Sequence, residues 1–185
     1  MSDTMILCER HIIKKSHPFY GECDHLTFLA KNLYNATLYY QRDSFFNKDF
    51  KNYYDINRLF VHTNQKDYRA LPTKVSKQVQ MLVDKSFKSY FALVKKKVNG
   101  DYSRSVRIPR YLGKTSGRCV VPYPKDALSL KNDGFVKLSK TNIVIKTKQS
   151  RKDIKAARIV PKGNHFVVEI LYKATMKPLK SDKPK

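Results

Sequence analysis

The sequence predicts an α+β fold: one strand, then a run of helices, then short strands suited to a small antiparallel barrel or meander. Three observations predict it. One short apolar segment is followed by two long stretches whose apolar residues recur at three- and four-residue steps. After Gly100 the period changes from helical to alternating and stays so through six short segments. Asn132-Asp133-Gly134 and Lys162-Gly163-Asn164 supply the positive-φ residues that tight hairpins need.

Taken in order, Ile6–Lys14 reads as a strand bounded by Ser16-His17-Pro18. A long helix over Phe19 to Gln41 places Cys23, Leu26, Ala30, Leu33, Thr37 and Tyr40 on one face. Polar Asn47 to Asn52 reads as a turn, and Ile56, Leu59 and Phe60 suit a short helix after an Asp55 cap. The clearest helix begins near Pro72-Thr73, with a stripe of Val75, Val79, Leu82, Val83, Phe87, Tyr90, Phe91 and Val94. It closes on Lys95-Lys96-Lys97, cations at the negative end of the dipole, and on Asn99-Gly100 as C-cap. The strands that follow are Arg118–Tyr123, Ala127–Lys131, Phe135–Ser139, Asn142–Thr147, Ile154–Val160 and His165–Tyr172. Their number and spacing suggest a small barrel or meander. The expected organisation is a first barrel strand over 1–18, a helical lobe over 19–100, a barrel over 101–175 and a linker or tail over 176–185.

Charge narrows the function. The 185-residue chain carries 38 Lys and Arg against 15 Asp and Glu, a formal net charge of +23. Residues 1–100 hold 17 basic and 9 acidic side chains, whereas residues 101–185 hold 21 and 6. Such like charge in a compact fold repels itself, and a polyanion relieves the repulsion while shedding condensed counterions. Nucleic acid is the expected partner. A hydrophobic content of 41% excludes a disordered basic tail. Cys8, Cys23 and Cys119 are odd in number and far apart, so neither a disulfide framework nor a zinc pair is expected, and a reducing interior fits. No apolar run approaches a membrane span, and no signal peptide is evident.

Several segments carry a resemblance. Glu9-Arg10-His11, His17-Pro18-Phe19-Tyr20, Leu33-Tyr34-Asn35-Ala36, Ser86-Phe87-Lys88-Ser89-Tyr90-Phe91 and Ile108-Pro109-Arg110-Tyr111-Leu112 occur in that order. With them the chain resembles, from about Leu7 to Tyr172, the N-terminal part of TnpB proteins, the OrfB-type transposases of insertion sequences. The resemblance implies a small antiparallel, wedge-like β-barrel with a helical recognition lobe inserted after its first strand, which together hold a structured guide RNA and inspect target DNA. It also implies a cytoplasmic, nucleoid-associated protein. Family members continue into a RuvC-like nuclease domain with three catalytic acids, which this sequence does not contain; the chain as it stands is therefore expected to bind and not to cut. A stand-alone RNA- or DNA-binding regulator and an inactive transposon remnant are the alternatives.

Two groups of residues are candidates for the contact. Arg104, Arg107, Arg110, Lys114 and Arg118 recur every three or four residues, with Tyr111 among them and no acid between them. Guanidinium forks on phosphate and a stacked base at Tyr111 would explain that spacing; the alternative is a solvated surface loop. The polar face of the Pro72 helix offers Lys74, Lys77, Gln78, Lys85 and Lys88. The resemblance implies that the start of this helix faces target DNA, with Lys77 and Gln78 sharing that role; a solvated helix face is the alternative. Tyr34, Tyr39, Tyr40, Phe45 and Phe46 are expected in the core.

Other chemistry is not expected. Gly113-Lys114-Thr115 imitates the tail of a phosphate-binding loop, but that loop needs glycine where Ile108 stands, so no nucleotide or other small-molecule substrate is implied. The five histidines form no ligand spacing, so neither metal nor cofactor is expected. Glu169, alone on its strand, is expected in a salt bridge on the barrel face rather than in a two-metal site.

Overall fold

The computed structural model of the chain describes residues 4–131 and 133–175. The expected tail over 176–185 and Asn132 of the first hairpin turn lie outside the described residues. Strand β1 (Thr4–Ile13) pairs antiparallel with the last described strand, β7 (His165–Thr175), from Thr4↔Thr175 to Ile13↔Phe166. Among the described residues every α-helix falls between β1 and the next strand, so the helical region is an insertion after the first strand: α1 (Tyr20–Phe46), α2 (Tyr53–His62), α3 (Lys66–Arg69) and α4 (Thr73–Val98). Strands β2 (Val121–Pro124), β3 (Leu128–Ser129), β4 (Phe135–Leu138), β5 (Val144–Lys146) and β6 (Ile154–Lys162) follow.

The long helices owe their position to packing more than to their ends. Neither Phe19 before α1 nor Pro72 before α4 makes a side-chain cap hydrogen bond. Cys23, Leu26, Ala30 and Leu33 of α1 and Val75 and Val79 of α4 are instead buried in one core with Val121, Tyr123, Ile159, Val168 and Ile170 of the sheet. A fully buried Val or Leu contributes about 1.5–3 kcal/mol, more than a typical cap at about 1 kcal/mol. The short α2 buries Ile56 and Phe60 in the same core and also has a side-chain cap. Asn52 accepts from the Tyr54 and Asp55 amides while Asp55 accepts from Asn52, a capping box in which Asp55 is the third helical residue and not the cap. At the end of α4, Gly100 (φ +83°) donates to the Lys97 carbonyl and Asp101 to that of Lys96, a Schellman closure.

The β region is antiparallel throughout but is not a closed barrel. One sheet has the order β1-β7-β6-β2, and a second has the order β3-β4-β5. The physical reason lies at β2: Pro122 and Pro124, two residues apart, remove the amide donors from one edge, so the strand pairs with β6 and ends the sheet. The chain then turns through a 3-10 segment, Lys125–Ala127, into the second sheet. At the opposite side a side chain bridges the sheets where no ladder does. Glu9 of β1 accepts from Thr147 Oγ1 at 2.8 Å and Gln149 Nε2 at 2.9 Å, just past β5. Burial opposes ionisation of Glu9, but those two donors and the neighbouring His11 outweigh it and hold the carboxyl below its usual range.

Candidate nucleic-acid interface

Residues 101–120 contain no helix or strand, yet from Pro109 to Cys119 they are hydrogen-bonded to one face of α1. Arg42 Nη1 donates to the Pro109 carbonyl at 2.9 Å. Asn35 donates through Nδ2 to the Leu112 carbonyl and accepts the Leu112 amide at Oδ1, both at 2.9 Å. Lys31 Nζ donates to the Lys114 carbonyl at 2.7 Å, and the Cys119 amide donates to the Thr27 carbonyl at 3.0 Å. Arg118 clasps Asp24 with two bonds, Nε to Oδ1 at 2.7 Å and Nη2 to Oδ2 at 2.9 Å. From Pro109 to Lys114 the α1 partners descend from Arg42 to Lys31, so the segment runs antiparallel to α1 and closes on its first turns, at Asp24 and Thr27. Helical spacing of three, four and seven puts the partners on one face.

This arrangement separates the backbone from the cations. The backbone is held on α1, while Arg104, Arg107, Arg110 and Lys114 are exposed. Among the described residues no ion pair engages any of these four. Tyr111 is exposed beside them, its ring 5.2 Å from the Arg42 guanidinium. Arg118, the fifth cation of the sequence pattern, behaves differently. Its Nη1 donates to the Thr115 and Gly117 carbonyls, its guanidinium lies 5.2 Å from the Phe28 ring, and its remaining donors hold Asp24. The same bonds and charge keep the Asp24 carboxyl below its usual range. Arg118 thus shapes the turn. That turn also needs Gly117: its amide donates to the Gly113 carbonyl at 3.1 Å, and a Cβ there would overlap that oxygen. Lys31 is buried, with its amine 3.9 Å from the Phe28 ring centroid; desolvation, helped by the Arg118 charge, lowers its pKa.

The second candidate group divides. Lys74 pairs with Asp126 at 2.7 Å, and Lys88 with Asp84 at 2.9 Å. Asp84 also accepts from the Tyr53 amide at the start of α2, so Lys88 neutralises a structural carboxylate. Lys77 and Gln78 are half-buried on α4 without an ion pair among the described residues. Lys85 is exposed and borders an open groove of about 470 Å³ with Tyr34, Leu112 and Arg118. The fold therefore brings Lys85 to the 101–120 segment and ties Lys74 to the β region.

Sequence reasoning missed Asp24, Lys31, Asn35 and Arg42 as the seat of the segment. The one available signal was that Asn35 and Leu112 both fall in the quoted similarity segments. It also placed five aromatics of α1 in the core. Tyr34 and Phe45 are half-buried, whereas Tyr39, Tyr40 and Phe46 are 58%, 39% and 63% exposed. Steps of five and one cannot keep all five on a single helix face.

The remaining titratable groups show no assembled chemistry. Glu169 of β7 is buried between Arg10 of β1, at 3.2 Å, and Arg158 of β6, a salt bridge spanning three strands. Burial pushes the Cys23 and Cys119 thiols up to about 12, so both stay protonated at neutral pH. Among the described residues no three His, Cys, Asp or Glu side chains group as metal ligands, and no helix is long and apolar enough to cross a membrane. No protein-family model matches the chain, and no curated protein matches it either.

Proposed function

We propose that the chain binds structured guide RNA and target DNA, as the nucleic-acid-binding N-terminal part of a TnpB-type RNA-guided endonuclease. The observation that carries the proposal is the seated segment: its backbone is held by α1 from Pro109 to Cys119, and Arg104, Arg107, Arg110 and Lys114 stand in solvent without carboxylate partners among the described residues. With no carboxylate to be displaced among the described residues, these cations are available to a phosphate backbone, and the backbone that carries Arg110 and Lys114 is already ordered. Tyr111, beside Arg110, offers a ring to an unpaired base. Lys77 and Gln78 of α4 face target DNA in this reading, Gln78 as an adenine-edge reader, while Lys85 lies beside the 101–120 segment. The contact between Asn35 and Leu112 joins two of the segments on which the family resemblance rests. In this reading the chain binds without cutting.

The test is a salt titration with a labelled, structured RNA and purified chain. Engagement of roughly 6–10 phosphates weakens binding on the order of a thousandfold or more between 50 and 200 mM salt. A flat titration contradicts the proposal.

A further inference from the structure

We infer that α1 and the 101–120 segment form a base-stacking platform for an unpaired stretch of nucleic acid, built from Tyr39, Arg42 and Phe46 together with Tyr111. The inference rests on the nucleic-acid reading above, adds three residues to it, and specifies that the strand there is single.

Tyr39, Arg42 and Phe46 are three, four and seven residues apart and so share one stripe of α1. The Arg42 guanidinium lies 5.2 Å from the Tyr111 ring and 5.9 Å from the Phe46 ring, joining the two elements. It is held there by its bond to the Pro109 carbonyl, and no carboxylate pairs with it among the described residues. Singly exposed aromatic rings are ordinary. Here Tyr39, Phe46 and Tyr111 are 58%, 63% and 47% exposed around one arginine. The rings are also braced from behind. Tyr39 meets Tyr40, which meets buried Phe60, at centroid distances of 5.5 and 5.3 Å. Phe46 meets Phe45, at 5.4 Å, within the aromatic cluster of Phe87, Tyr90 and Phe91.

Charge selects the occupant. Arg107 and Arg110 precede Tyr111 by four residues and one, both exposed, and no acid occurs between Asp101 and Asp126. The exposed carboxylate of Asp43, four residues from Tyr39 and three from Phe46, borders the same rings on the side away from Arg42, about 100° around the helix from it, and is the one acid set against Arg42, Arg107 and Arg110 in these two stretches. Aromatic faces beside arginines match bases and phosphates together. Bases within a duplex already have both faces stacked, so only an unpaired strand can use the rings; a duplex would touch the arginines alone.

The test compares the parent with a Tyr39→Ala/Phe46→Ala double variant and a Tyr39→Trp/Phe46→Trp double variant. The probes are an unstructured 20-nucleotide RNA carrying 2-aminopurine and the same RNA annealed to its complement. The alanine variant is expected to bind the single strand roughly 10- to 100-fold more weakly, with an unchanged salt slope and loss of the 2-aminopurine quench. Its duplex affinity is expected to change by less than about threefold, and the tryptophan variant to retain binding and quench, because any aromatic face stacks. The inference is overturned if the alanine variant keeps its single-strand affinity, if duplex binding falls equally, or if tryptophan does not restore binding. If the parent binds neither probe with salt dependence, the broader nucleic-acid reading fails first, and the parent titration alone shows it.

Discussion

The 101–120 segment and the first half of α4 are both rich in cations, but their charges meet different fates. On α4, Lys74 and Lys88 are neutralised by Asp126 and Asp84. Along the segment, Arg104, Arg107, Arg110 and Lys114 have no such partner among the described residues, and the cation that does, Arg118, is the one that holds the turn. Charge density in the sequence therefore overstates α4 as a phosphate contact. What distinguishes the regions is the fold's distribution of carboxylates, and the comparison can be broken by loosening the segment or sharpened by titrating its partners.

The largest effect on stability is expected from Gly117→Ala. Its Cβ meets the Gly113 carbonyl oxygen, a backbone atom that cannot move without opening the turn between Lys114 and Arg118. Thermal or denaturant unfolding should show a loss of about 1–3 kcal/mol, the usual cost of overpacking. RNA binding should weaken in parallel. Lowered stability with unchanged affinity would mean that the cations act diffusely and need no fixed seat.

Asn35→Ala should act more gently. It leaves the Leu112 amide and carbonyl without their partner, but the site is half-buried and water can replace part of the loss, so about 1 kcal/mol of stability is expected. Affinity for RNA should fall by less than about tenfold with the salt slope unchanged, since no charge is removed. A reduced slope would show that Asn35 sets how many phosphates are reached.

These two sites show where the sequence was legible. The α1 and α4 stripes declared themselves by periodicity, and Cys23, Leu26, Ala30, Leu33, Val75, Val79, Val83 and Phe87 are all buried. The alternating segments became strands near their expected places, because alternation encodes a half-buried strand locally. Barrel closure was not legible, since it depends on whether β5 and β1 find a ladder, and a Glu9 side chain stands there instead. The four-residue α3 is too short to carry a period. The seat of the segment was illegible for another reason: Asn35 and Leu112 are 77 residues apart and Asp24 and Arg118 are 94 apart, and nothing in either stretch specifies its partner.

A smaller effect should appear in the pH dependence of stability. Hydrogen bonds from Arg118, and its charge, hold the Asp24 carboxyl below its usual range. A depressed folded-state pKa gives stability that is fully present above the unfolded value, about 3.9, and is lost as pH falls through the folded one. Asp24→Asn should therefore be less stable than the parent at pH 7, with the gap closing below about pH 4. Because the pair is partly exposed, solvent screens it and the gap should be modest. A gap that persists unchanged into acid would mean that the ion pair does not hold the turn.

The central claim, that the seated segment and not α4 grips RNA, is tested most directly by salt slopes measured on three proteins with one structured RNA. These are the parent, the Arg104→Ala/Arg107→Ala/Arg110→Ala variant, and the Lys77→Ala/Gln78→Ala variant. The arginine variant should retain its fold, because exposed substitutions move stability by under about 0.5 kcal/mol. Its slope of log affinity against log salt should be shallower than the parent's by about one unit per lost phosphate contact, up to roughly three. The α4 variant should keep the parent's slope on RNA. Equal slopes in the parent and the arginine variant, or a larger change in the α4 variant, would contradict the account.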